Sequence, residues 1–84
     1  MKYNVATDKI KEMLENSGTK HIHVARELEY TPLQWSRVLR GHQRFVNRSL
    51  AKGEHAGESR AERLAEILNT STETVLDFFG LNGS

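Results

Sequence analysis

Hydrophobic residues recur along the chain at helical spacing, and polar residues mark where each run begins and ends. Ile10, Met13 and Leu14 share one face of a segment that starts at Thr7 and stops at Asn16-Ser17-Gly18. That pattern predicts a helix closed by glycine. Val5 and Tyr3 are placed to pack against its start. A second run carries Ile22, Val24, Ala25 and Leu28, with Thr19 as its N-cap and an end near Tyr30. A third runs from Thr31 to Arg40, with Pro32 in its first turn and Gln34 three residues after Thr31. Thr31 and Gln34 can then form a capping box, each side chain bonding the other's backbone N–H. Trp35, Val38 and Leu39 point inward from this helix, and Gly41 closes it. A fourth helix opens on a second capping box, Ser59 with Glu62, and buries Leu64, Ala65, Ile67 and Leu68. A fifth pairs Thr70 with Glu73, or starts on Thr72, and buries Val75, Leu76 and Phe79. Residues 80–84 are expected to fray.

No segment alternates with period two for long enough to make a strand. The expected fold is therefore all-α, one five-helix domain spanning residues 1–84, with a long loop at 41–58 after the third helix. Loops of that length in compact domains are usually functional or disordered. Phe45, Val46 and Leu50 can give this one some packing, and a helical turn is expected around Arg48 to Lys52.

Composition narrows the chemistry. The chain has 84 residues, 37% of them hydrophobic, which allows one compact core. It has no cysteine, so disulfides and thiolate metal sites are absent, and a reducing, cytoplasmic setting is expected. No apolar run reaches membrane-span length, and no signal peptide is expected before the first helix. His21, His23, His42 and His55 lie on different elements, with no cysteine or carboxylate partner at metal-ligand spacing. No metal, cofactor or catalytic set is expected, and the chain does not read as an enzyme.

The net charge of +1 conceals an uneven distribution. Between Tyr30 and Gly53 there is no Asp or Glu, yet Arg37, Arg40, Arg44, Arg48 and Lys52 all fall there. The other seven Lys and Arg share the rest of the chain with all eleven acids. A charge run can be simply a solvated face. A basic block that also covers a helix and its following loop is an electrostatic footprint for a polyanion.

Only Glu29-Tyr30-Thr31 separates the second and third helices, so the two must cross steeply, as in a helix-turn-helix over residues 19–40. The second helix of such a unit enters the major groove with its N-terminal residues nearest the bases. Pro32, Leu33, Gln34, Ser36 and Arg37 form the candidate base-reading set. Arg37 can bond guanine bidentately or serve a phosphate, and Leu33 can meet a thymine methyl or pack on a neighbouring helix. Gln34 can reach adenine or remain in its capping box, and Ser36 can contact a phosphate. Lys20, His21, Thr31, Arg40, Arg44, Arg48 and Lys52 form the candidate phosphate set. The loop arginines can also reach a minor groove. Trp35 is expected in the core.

Val24-Ala25, Leu28, Thr31, Trp35-Ser36 and Gly41 follow a known spacing: Leu-Ala, a turn, Ser/Thr, Ile-Ser and a closing Gly. The chain in this respect resembles the Cro/phage-repressor, or XRE-like, helix-turn-helix family. Leu64-Ala65-x-Ile67-Leu68, then Thr72 and Val75-Leu76, is similar to that family's C-terminal part, so the resemblance extends over residues 7–79. It implies a lambda-repressor-like five-helix fold. It also implies a sequence-specific regulator that binds double-stranded DNA, a phage-type repressor acting by operator occupancy. A homodimer on an inverted repeat would follow, with Phe78, Phe79 and Leu81 or the long loop at the dimer surface. The chain departs from the pattern in several places. His21 stands where the family often has a Gln that braces a phosphate and a recognition-helix side chain. Glu29 replaces a small turn residue, often Gly, so the turn is not expected to need a positive φ. Trp35 replaces a smaller aliphatic residue, and the loop is longer and more basic. The competing reading is a protein-interaction module of the same fold, of antitoxin or anti-repressor type, and a protein anti-repressor is a further candidate partner.

Overall fold

A computed structural model of the chain describes residues 3–81. It is all-α, with α1 at Thr7–Ser17, α2 at His21–Glu27, α3 at Pro32–Arg40, α4 at Arg60–Leu68 and α5 at Thr72–Phe78. Among the described residues there is no strand, only an isolated antiparallel bridge between Ser49 and Ser59. Among the described residues no helix is long and apolar enough to cross a membrane.

One core joins all five helices. Ile10 and Leu14 of α1, Val24 and Ala25 of α2, Trp35 and Val38 of α3, Leu64 and Leu68 of α4 and Val75 of α5 are all buried in it. Both capping boxes form as the spacing predicts, Thr31 with Gln34 and Ser59 with Glu62. Gly18 and Gly41 end α1 and α3 in the left-handed conformation, at φ +72° and +80°. That region is open to glycine without the Cβ clash other residues meet. α1 also braces α3: Thr7 Oγ1 donates to the Leu39 carbonyl at 2.7 Å, one of the carbonyls that α3 itself leaves free.

Several expectations need correction. Ile22 is 57% exposed, not inward. Val24, Ala25 and Leu28 already complete the inward face of α2, and Ile22 sits roughly 200° around the helix from Val24. Thr19 does not cap α2; the N-cap is Lys20, without a side-chain bond, and Thr19 Oγ1 instead accepts from Ser17 Oγ. α5 is capped by Ser71, whose Oγ accepts from the Thr74 N–H at 3.2 Å, not by Thr70 or Thr72. Asn69, at φ +57°, closes α4, and Thr70 is used up in the turn that follows. Tyr3 is exposed, whereas Val5 does pack against the core.

The segment between α3 and α4 has no helical turn at Arg48 to Lys52. It folds back on itself. The Leu50 N–H donates to the Glu58 carbonyl at 2.7 Å, the Gly57 N–H to the Leu50 carbonyl, and the Arg60 N–H to the Arg48 carbonyl. Leu50 and Phe45 are buried, and the Phe45 ring stacks on Phe79 with centroids 4.2 Å apart. That stacking removes Phe79 from the candidate dimer surface; Phe78 is half-buried and Leu81 exposed.

Two residues tie this segment to the turn between α2 and α3. Glu29 has φ +60°, so the turn does need the left-handed region after all. What holds a non-glycine residue there is its carboxylate, which accepts from the Ala51 and Lys52 N–H groups at 2.9 Å each and pairs with Arg48 at 3.0 Å. These donors, the Ala51 N–H foremost, hold the Glu29 pKa below its ordinary value. From the other side Arg60, only 5% exposed, donates to the carbonyls of Leu28, Glu29 and Val46 and lies 3.8 Å from the Tyr30 ring centroid. Burial lowers its pKa, as desolvation must for a cation.

Candidate nucleic-acid interface

The outer face of α3 is set by which of its residues the core takes. Trp35, Val38 and Leu39 turn inward, so Leu33, Gln34, Arg37 and Arg40 are left exposed and Ser36 is half-buried. Leu33 is 62% exposed, which removes the reading that it packs on a neighbouring helix. Gln34 accepts from the Thr31 N–H through Oε1 at 2.9 Å, which fixes its side chain beside the first turn. Its amide NH2 donates to no group among the described residues. The capping box therefore orients Gln34 and leaves its donors available. Pro32 occupies the first turn and is exposed.

The basic side chains divide into two groups. Among the described residues no carboxylate lies within ion-pair distance of Arg37, Arg40 or Arg44, and all three are exposed. Leu33, Ser36, Arg37, Arg40, His42 and Gln43 line one open depression of about 480 Å³. His42 and Gln43 were not singled out as site residues in the sequence. They join this face because Gly41 turns the chain back, so that both N–H groups point to the Arg37 carbonyl. Arg48 and Lys52 behave differently from the expectation of an unneutralised basic loop. Arg48 is paired with Glu29, an acid just outside the acid-free stretch, and also donates to the Ser49 carbonyl. Lys52 lies beside Glu29 and Glu54.

At the start of α2, His21 and Trp35 meet. The indole N–H of Trp35 donates to His21 Nδ1 at 3.1 Å. An indole can only donate, so Nδ1 must be the acceptor, and the neutral ring carries its proton on Nε2. The large Trp35 is thus buried with its polar atom satisfied, and it fixes the orientation of an exposed histidine at the N-terminus of α2. Lys11 of α1, also missed in the sequence, borders the same opening together with His21, Ser36 and Arg40. Its only sequence signal was that it lies outside the Ile10–Leu14 stripe. Lys20 and Thr31, both exposed, sit at the N-caps of α2 and α3.

One histidine has carboxylate neighbours that sequence spacing did not indicate. His55 Nδ1 lies 2.7 Å from Glu58 Oε2, and folding brings Glu66 of α4 to the other two, so that possible ligand atoms of all three lie within 4.8 Å of one another.

Chemically, the α3 face offers donors, cations and one apolar contact on a surface free of carboxylates. No protein-family description, curated protein or solved structure matches this chain.

Proposed function

We propose that the chain is a sequence-specific double-stranded-DNA-binding regulator of the Cro/phage-repressor type, with α2–α3 as its helix-turn-helix and α3 as its recognition helix. The observation that carries this reading is the exposed, carboxylate-free face of α3, with Leu33, Gln34, Ser36 and Arg37 in its first two turns. A firmly capped N-terminus holds these side chains where base edges would lie. Arg37 is suited to guanine, Gln34 to adenine and Leu33 to a thymine methyl. Arg40 and Arg44, together with Lys20, His21 and Thr31, would contact phosphates on either side of the groove. His21 would offer its Nε2–H outward, held by Trp35. A module this small covers little DNA, so a homodimer on an inverted repeat, acting by operator occupancy, fits the size.

A second reading is favoured by Ile22 and Leu33, two large exposed apolar residues on α2 and α3. They would suit a protein partner, as in an antitoxin or anti-repressor. Retention on heparin and a mobility shift on random duplex DNA separate the two readings. The DNA reading expects both, weakening steeply with salt. The protein-partner reading expects neither.

A further inference from the structure

Away from the α3 face, His55 and Glu58 of the long loop meet Glu66 of α4. One possible ligand atom from each lies within 4.8 Å of the other two. His55 Nδ1 is 2.7 Å from Glu58 Oε2, and its Nε2 is 3.7 Å from Glu54 Oε1. The second oxygen of the Glu58 carboxylate, Oε1, is shielded from solvent and accepts no hydrogen bond among the described residues, although the side chain as a whole is 31% exposed. Buried carboxylate oxygens are normally satisfied, and an orphan calls for an explanation such as an ion. The neighbouring cation does not supply it. Arg63 is already engaged, with Nε and Nη2 on Glu27 and Nη1 on Glu66 Oε2. That leaves Glu66 its other oxygen. His55 also borders an open cavity of about 370 Å³, so the cluster can be reached from solvent.

We infer that His55, Glu58 and Glu66 form a binding site for a divalent cation of the zinc type. An imidazole with two carboxylates is a donor set for zinc and its transition-metal neighbours, whereas calcium and magnesium prefer oxygen alone. Three protein ligands leave a fourth position for water. A tetrahedron with bonds of about 2.0–2.1 Å has edges of roughly 3.3 Å. The His55–Glu58 pair must therefore open slightly and Glu66 must swing inward. Glu66 is exposed on α4, so its inward swing disturbs only its surface ion pair with Arg63. The bound ion would replace the His55–Glu58 hydrogen bond, satisfy the carboxylates and clamp the loop to α4. This site does not rest on the DNA-binding reading.

The test is titration of the chelator-treated, dialysed protein with ZnCl2 by calorimetry, with thermal melts alongside. Wild type is expected to bind one ion and to melt at a higher temperature with zinc, because the ion binds the folded state. Loss of an outer-shell partner alone commonly costs about 10- to 100-fold in metal affinity, so His55→Ala and Glu66→Gln should each lose at least that much. Both positions lie outside the core, so the helical circular dichroism of each variant should stay as in wild type. His23→Ala, which removes an exposed imidazole on α2, should bind as wild type does. No zinc binding by wild type at about 100 µM, or equal affinity in His55→Ala and Glu66→Gln, overturns the site.

Discussion

Arg60→Ala is the substitution that most directly probes how the long loop is fastened to the α2–α3 turn. Arg60 donates to Leu28, Glu29 and Val46 carbonyls at 2.6, 3.0 and 3.2 Å and lies against Tyr30. Its removal leaves the Leu28 carbonyl, in the most buried of the three bonds, without a donor, while the other two can partly rehydrate. Each such loss costs about 1–3 kcal/mol, with the low end applying where water can enter. The cation–π contact adds about 1 kcal/mol. The expected total is about 4–6 kcal/mol, a large part of the roughly 5–15 kcal/mol that folds a typical domain. At about 4–8 °C per kcal/mol for a domain of this size, the melting temperature should drop by roughly 16–48 °C. Arg60→Leu keeps most of the volume but none of the donors and should be nearly as damaging. Urea unfolding followed by Trp35 fluorescence and by circular dichroism gives the number. A loss below about 1 kcal/mol in both variants would mean that the three carbonyls are readily served by water, and the fastening would lie elsewhere.

Two other predictions follow from the ion pairs. Arg44→Ala should flatten the log–log salt dependence of DNA binding by about one unit per subunit, whereas Arg48→Ala should change it little, because Arg48 already pairs with Glu29; equal slopes for both variants would contradict the division between them. Glu29 has a folded pKa below its ordinary value of 4.5, so the unfolded chain binds its proton more readily and the stabilisation is complete above that value. Stability should fall as the pH drops below 4.5 toward the folded pKa, and Glu29→Gln should flatten that part of a pH series of urea midpoints; an unchanged acid limb would show that the carboxylate contributes nothing.

The helices were readable in the sequence because each carries its own local signals. α3 has a capping box, a first-turn proline, an inward stripe and a terminal glycine within eleven residues, and all of them appear in the structure. α2 has only seven residues and no side-chain cap, so its sequence marks its inward face weakly, and Ile22 falls on the solvent side. The α3 candidates were legible for the same reason as α3 itself: once Trp35 and Val38 are inward, Leu33 and Arg37 have only the outside left. The loop was not legible. Its shape depends on Glu29 and Arg60, whose partners lie 22 to 32 residues away in most of these contacts. The positive φ of Glu29 is a tertiary effect, in which side-chain bonds to the loop offset local backbone strain. The pairing of Arg48 and the assembly of His55 with Glu66 are equally non-local, and no spacing rule could have found either.

Selection of binding sites from a random pool of duplex DNA tests the central proposal most directly. Wild type should enrich one motif, an inverted repeat with half-sites about one helical turn apart. Arg37→Ala should relax the preference at a single base pair of each half-site, by about 1–3 kcal/mol, and leave the rest of the motif in place. A wild-type pool that stays random, or a motif that survives Arg37→Ala and Leu33→Ala unchanged, would contradict the assignment of α3 as the recognition helix.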